Sequence, residues 1–232
     1  MELKFGRLPA IVALFLTAAA AFFLRQVQLL RGGNLFSWFC LVIVLLYGIY
    51  CFLLRPKSAY DAISDPSPVL LIGSLVAAAA LAAGSFSVFQ SRSSTLDLLL
   101  SVGGLITAGC WAYTGLCRFK GRWVAPPVLM IPALFFAVQL ICSFRDWSRD
   151  PKILDYCFDL LGLISLMCAS YHLGGFCFNK GRRKITVFFC LCGIFFGAAA
   201  IASGRLRELA LTGGSMLWLA CNLWPLLKSN QA

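Results

Sequence analysis

One segment of this chain concentrates ionisable side chains that could take part in chemistry. Positions 143–159 read SFRDWSRDPKILDYCFD. The charged residues in this segment are Arg145, Asp146, Arg149, Asp150, Lys152, Asp155 and Asp159. Carboxylates at the edge of an apolar segment are the groups that membrane proteins use to bind cations and relay protons. The segment is therefore the first candidate for a functional site.

The spacing of the acids in this segment indicates that they share one helical face. If a helix begins at Pro151, with Asp150 as its N-cap, Asp155 and Asp159 lie one turn apart on the same side. This face continues through Gly162, Leu166 and Ser170. Asp159 would then lie about two turns into the helix, at a depth where a carboxylate needs a partner, water or a protein interior.

Two interpretations of this face are open. The first is a site for a small ligand or ion formed by Asp155, Asp159 and Ser170, with Arg145 and Arg149 as candidate partners of the acids. The second is that the helix emerges from the membrane by a turn or two. In that case the acids are simply solvated and favoured by the positive end of the helix dipole.

The histidine and the cysteines are expected to have structural roles. His172, the single histidine, falls roughly opposite Asp159 at 100° per residue, which favours a hydrogen bond between helices. The eleven cysteines lie in or beside apolar runs without a CxxC pair, so we expect no metal site. A disulfide between Cys142 and Cys157 is left open. Motifs for phosphate binding or nucleophilic catalysis are absent from the sequence, so we assign no catalytic residue and expect no cofactor.

The elements that must position these residues are apolar and long. Hydrophobic residues make up 60% of the chain and charged residues 12%, whereas soluble domains are roughly 45–50% apolar. Continuous runs of about 17–25 apolar residues suit helices that cross a bilayer, and they lack the alternation of a membrane β-barrel. The sequence predicts an all-α, polytopic transmembrane bundle that forms one integral membrane domain over positions 1–232. The eight predicted spans are 8–24, 35–54, 68–89, 96–117, 124–144, 153–177, 185–204 and 209–227.

Lys and Arg residues cluster on one side of these spans. That side carries Lys4, Arg7, Arg55, Lys57, Arg118, Lys120, Arg122, Lys180, Arg182, Arg183, Lys184 and Lys228. The positive-inside rule predicts that it is cytoplasmic, together with both termini. Topology and contact with the lipid bilayer then account for the net charge of +11, and we expect no nucleic-acid partner.

An internal repeat supports eight spans. The 29 residues from Ser85 align without gaps on those from Ser143 with nine identities, which include the pair Gly104 and Gly162 and the pair Tyr113 and Tyr171. We expect four αα-hairpins of about 60 residues in parallel orientation. The alternative is that the first span is a cleaved signal peptide, because basic residues and a run of alanines accompany a short apolar segment.

The sequence leaves three classes of function open. The leading hypothesis is a membrane protein that is not an enzyme and that binds or transports a small solute, an ion or a lipid. The alternatives are a membrane-embedded enzyme that uses outward-facing carboxylates as acid and base, and a scaffold or subunit that binds another membrane protein through small-residue faces. The geometry of any cavity around the acids should discriminate between them.

Overall fold

Eight α-helices and two short 3₁₀ turns make up the part of the chain that the computed structural model describes, residues 7–64, 66–90, 95–147, 156–202 and 206–228. The helices are α1 Arg7–Arg31, α2 Leu35–Leu53, α3 Pro68–Gln90, α4 Thr95–Phe119, α5 Pro126–Trp147, α6 Cys157–Gly175, α7 Arg183–Ile201 and α8 Leu206–Lys228. The 3₁₀ turns are Tyr60–Ala62 and Phe176–Phe178. All eight helices are long and apolar enough to cross a membrane. The predicted all-α class with eight spans is confirmed.

The first helix extends beyond its predicted span, which ends at position 24. Arg25 and Gln28 continue the helix, and Arg25 Nη1 donates a hydrogen bond to Gln28 Oε1 at 2.7 Å. The helix ends only before Gly32 and Gly33, whose φ angles of 72° and 101° suit glycine. The apolar run stops at the first charged residue, whereas the helix stops where the backbone leaves helical geometry.

The helices α3 to α8 form a closed ring. Each packs against the next along the chain, and α8 packs against α3 to close the circle. The hairpin of α1 and α2 lies outside this ring and packs mainly on α7. Three hairpins therefore share the ring while the first has a different environment, and the repeat of four equivalent hairpins stays a prediction.

Aromatic side chains fill the middle of the ring. Trp111 of α4 and Trp218 of α8 stack with ring centroids 4.9 Å apart and planes 11° apart, and Phe136 of α5 packs beside Trp111. All three are buried. The stack of Trp111 on Trp218 joins α4 to α8, two helices that are not consecutive in the ring.

Two glycines on α7, Gly193 and Gly197, lie at a tight helix contact. A Cβ atom on Gly193 would lie 2.7 Å from Leu219 Cδ1, and one on Gly197 would lie 2.7 Å from Met216 Cγ. Contacts this short would force the Leu219 and Met216 side chains to move, so the two glycines allow α8 to pack closely on this face of α7.

The connections α2–α3, α4–α5 and α6–α7 meet at one end of the bundle. Gly181 N donates to Ser58 O at 3.2 Å, and Val124 N donates to Tyr60 Oη at 3.1 Å. We call this end the basic end, because it holds most of the Lys and Arg residues that follow or precede spans. The first turns of α4 and α6 lie at the opposite end.

Candidate functional site

Asp159 lies in the first turn of α6 and is only 5% exposed. The helix begins at Cys157 in the described residues, so this acid is nearer the helix start than the two turns that the sequence predicted. The predicted face is nevertheless the buried one, because Gly162, Leu166 and Ser170 are all buried along it. Asp159 is thus not a solvated surface carboxylate.

A small cavity adjoins the side chain of Asp159. Its volume is about 40 Å³, which is room for roughly three water molecules at 10–15 Å³ each. The residues that line it are Gln139, Ser143, Asp159, Gly162, Leu163, Leu166, Gly197, Ala200 and Thr212. Four helices, α5 to α8, contribute to the lining, and four of the residues carry a polar oxygen in the side chain. Such a set of oxygens suits water, a proton or a small hard cation.

The other residues predicted for this site have different positions. Ser170 is fully buried further along α6, where its hydroxyl donates to Leu166 O at 2.8 Å, and it does not line the cavity. Arg145 is exposed near the end of α5. Asp155 and Arg149 lie outside the described residues, so their part in the site stays a prediction.

Three polar residues of the cavity were not identified from the sequence. Gln139 is the single amide side chain in the apolar run of α5. An isolated polar residue in such a run could have identified it as a candidate site residue. Ser143 was noted only as the first residue of the repeated segment. Thr212 follows Asp159 by more than fifty positions, and only the packing of α8 on α7 brings it to the same cavity.

A buried arginine lies close to this site at the same end of the bundle. The Arg25 guanidinium carbon is 5.0 Å from the ring centre of Phe158 and 5.9 Å from that of Phe36. These contacts join α1, α2 and α6 immediately beside Asp159. They give the outer hairpin a polar attachment to the ring next to the cavity.

The basic end contains a second buried arginine, Arg118 at the end of α4. It is 1% exposed, and its Nη1 donates to Asn222 Oδ1 at 2.6 Å. Asn222 Nδ2 in turn donates to Trp218 O at 2.8 Å. The Nε and Nη2 atoms of Arg118 have no hydrogen-bond partner among the described residues. From the sequence, Arg118 was predicted only to contribute to the positive charge that sets the topology. In the structure it lies between helices.

Tyr60 lies over the same region, in the connection between α2 and α3. Its hydroxyl accepts a hydrogen bond from Val124 N, and burial raises the pKa of Tyr60 above its usual value. The neutral phenol is therefore the form present at pH 7. This side chain covers the basic end of the ring of helices and adds no negative charge there.

His172 lies among aromatic rings, and most of the cysteines are buried. The His172 ring stacks on Phe189 with centroids 5.7 Å apart and planes 11° apart. The eleven cysteines form no disulfide, so the pairing of Cys142 with Cys157 that the sequence left open is not present. Among the described residues there is no group of three or more His, Cys, Asp or Glu side chains that could hold a metal.

The fold and its apolar helices fit an integral membrane protein. Comparison of the chain with protein-family models, with curated proteins and with solved structures finds no match.

Proposed function

We propose that this integral membrane protein binds a small cation, either a proton or a hard metal cation, at Asp159. The observation that carries the proposal is a carboxyl group 5% exposed that faces a cavity of about 40 Å³ together with Gln139, Ser143 and Thr212. Membrane proteins bind protons and cations at carboxyl groups of this kind, which are buried in the helix bundle and face a polar cavity. The side-chain oxygens of Gln139, Ser143 and Thr212 could act as further ligands of a cation there.

The size of the cavity restricts the ligand. About 40 Å³ is far below the roughly 300–1,000 Å³ of pockets for organic ligands. An organic solute is therefore disfavoured at this site in the conformation described, and an ion, a proton or water is favoured.

The filled centre of the ring favours binding over free passage. Thr212 and Asn222 mark the two polar regions on α8, and ten residues of helix separate them by about 15 Å. Trp218, stacked on Trp111, lies between them. A transport cycle would require this stack to separate, whereas binding at Asp159 requires no such movement.

The test is the stability of the purified protein in detergent as a function of cation concentration and pH. We expect Na⁺, Li⁺ or protons to raise the melting temperature of the wild type above its value in choline chloride at matched ionic strength. Saturation to 100 times Kd contributes about 2.7 kcal/mol, equivalent to a shift of about 5–10 °C for a chain of this length. Asp159→Asn should abolish the shift, because the amide keeps the volume and removes the charge.

Asp61→Asn is the matched control, since Asp61 is exposed at the basic end. It should leave the shift intact. If the wild type shows no dependence on any of these cations, or if Asp159→Asn responds as the wild type does, the proposal fails.

A non-catalytic partner subunit is the second candidate function. The packed centre of the ring favours it, and so does the large exposed apolar face of α2, which packs mainly on α1 and α7 among the described helices. The absence of any cation response in the wild type would leave this candidate as the better one. The enzyme hypothesis depends on Asp150 and Asp155, which lie outside the described residues.

We infer that the basic end faces the cytoplasm, because the positive-inside rule places short basic connections there. Single cysteines introduced at exposed positions into a Cys-depleted variant test this. A cysteine at Lys120 should resist an impermeant thiol reagent in intact cells, and one at Asn34, between α1 and α2, should react. The reverse pattern would overturn the orientation.

A further inference from the structure

A basic crevice lies where α2 leaves the bundle and α7 enters it. Its volume is about 330 Å³. The residues that line it are Pro56, Lys57, Ser58, Gly181, Arg182, Arg183, Lys184 and Ile185. Half of these residues are cationic and none is acidic. The Asp159 cavity is at the other end of the bundle, so the two sites are independent.

Two chain segments more than a hundred residues apart form the crevice. Gly181 N donates to Ser58 O at 3.2 Å, and Arg183 N donates to Lys57 O at 3.3 Å. These backbone hydrogen bonds hold the α2–α3 connection against the start of α7. The crevice is therefore part of the folded structure and does not arise from chance proximity of flexible loops.

Two of the four cations support the walls of the crevice. The Arg183 side chain is fully buried, and its Nε donates to Leu226 O at 2.7 Å. Lys184 Nζ donates to Phe52 O at 2.8 Å and lies 5.0 Å from the centre of the Phe52 ring. Arg182 is exposed and Lys57 is half-buried, so these two can reach a ligand in the crevice.

The crevice concentrates positive charge at the beginning of a helix. Residues 182–184 place three successive cations at the beginning of α7, and its first turn contains no acid. Helix dipoles favour anions at this end and disfavour cations. Positions that break such a local rule in a folded protein are often functional. A bound anion would reverse the sign of these interactions.

The membrane supplies an anion at this height. The crevice adjoins the last turn of α2 and the first turn of α7, which are the ends of two candidate membrane spans. Lipid headgroups are expected at the ends of such spans. Beside it, the last turns of α2 present Ile49, Phe52 and Leu53 outward, with Phe52 79% exposed. Acyl chains can lie along this apolar face while a phosphate enters the crevice.

We propose that the basic crevice binds the phosphate-bearing headgroup of an anionic phospholipid in the leaflet at the basic end. Lys57 and Arg182 contact the phosphate, Arg183 and Lys184 add positive potential from the walls, and the outward face of α2 contacts the acyl chains. The lipid joins the α1–α2 hairpin to α7 at this end of the bundle.

The experiment compares the melting temperature of the purified protein in neutral detergent with added phosphatidylglycerol or phosphatidylcholine. For the wild type, phosphatidylglycerol should raise the melting temperature by several degrees more than phosphatidylcholine. The excess should shrink as salt is raised, because salt screens charges at the protein surface. Equal shifts with the two lipids in the wild type would overturn the proposal without any variant.

Variants then test the position of the site. The double change Lys57→Gln and Arg182→Gln should remove more than half of the excess shift. The matched control is Lys120→Gln with Arg122→Gln, which removes two exposed charges from the same end of the bundle. It should keep the full excess shift. An equal loss in both double variants would show attraction to net charge alone and would reject the crevice.

Two further measurements complete the test. Arg182→Gln alone changes only an exposed side chain and should still lower the excess shift, so a folding defect of the double variant does not obscure the result. Inorganic phosphate at the concentration of the lipid should not reproduce the shift, because it lacks the acyl chains that contact α2. If it does, the ligand is a soluble anion and the lipid proposal is wrong.

Discussion

The hairpins α3–α4 and α5–α6 share nine identical residues over 29 aligned positions. Their interiors nevertheless differ. In α3–α4, Ser101 Oγ donates to Ser85 O at 2.9 Å, and Ser85 Oγ donates to Leu81 O at 2.8 Å. The residues 58 positions later in α5–α6 are Asp159, Ser143 and Gln139. All three of these line the cavity of about 40 Å³. One hairpin is closed by small hydroxyl side chains, and its counterpart leaves room beside a carboxyl group.

The contrast extends to the matched glycines. A Cβ on Gly104 would collide with the Ser85 side chain of the neighbouring helix in its own hairpin, whereas one on Gly162 would meet the backbone of Phe196 at 3.5 Å. The paired tyrosines, Tyr113 and Tyr171, are both exposed to a similar degree. The two tyrosines thus share an exposed position, while the contacts of the paired glycines differ.

The largest effect is expected from placing the carboxylate in the closed hairpin. Ser101→Asp should destabilise the protein by about 3–5 kcal/mol, because Ser101 is fully buried and an uncompensated charge there has no cavity to hydrate it. Thermal unfolding in detergent would measure the loss. Ser101→Ala, which removes only one hydrogen bond, should cost about 1 kcal/mol.

If Ser101→Asp is as stable as Ser101→Ala, the α3–α4 interface can admit water as readily as α5–α6 does. The contrast between the two hairpins would then be lost. If cations instead stabilised Ser101→Asp, the α3–α4 hairpin would be shown to accommodate a second cation site.

A smaller effect is expected from adding a methyl group at the matched glycines. Gly104→Ala should cost about 1–2 kcal/mol, because the new Cβ forces Ser85 to rotate and lose its bond to Leu81 O. Gly162→Ala should be neutral or stabilising by up to about 1 kcal/mol, since its Cβ finds ordinary contact distances and alanine favours the helix. Melting temperatures of the two variants compare them directly.

Gly109→Ala is the control on the same helix as Gly104, because a Cβ there meets no atom within 4 Å. It should match or exceed the wild type in stability. Equal losses for Gly104→Ala and Gly162→Ala would mean that both glycines make the same close contact. That result would support a repeat with equivalent helix contacts in the two hairpins and would contradict the difference in their interiors.

The sequence determined the class of fold and which residues of α6 share one face, whereas it left open whether that face is buried or solvated. Lipid offers no hydrogen bonds to the backbone, so an apolar run of sufficient length must form a helix. The 3.6-residue period then places Asp159, Gly162, Leu166 and Ser170 on one side. The end of α1 was harder to predict, because the hydropathy changes at Arg25 while the helix continues to Arg31. Local chemistry of this kind acts between near neighbours and can be read without the fold.

The tertiary structure alone decided which helices meet. Arg118 bonds to Asn222 across 104 positions, and the Asp159 cavity takes its oxygens from α5, α6 and α8. The basic crevice likewise joins Ser58 to Gly181. The physical reason is that apolar helices in lipid have many faces of similar hydrophobicity. The choice among them depends on close packing at particular glycines, such as Gly193 and Gly197, and on a few buried polar contacts between distant residues.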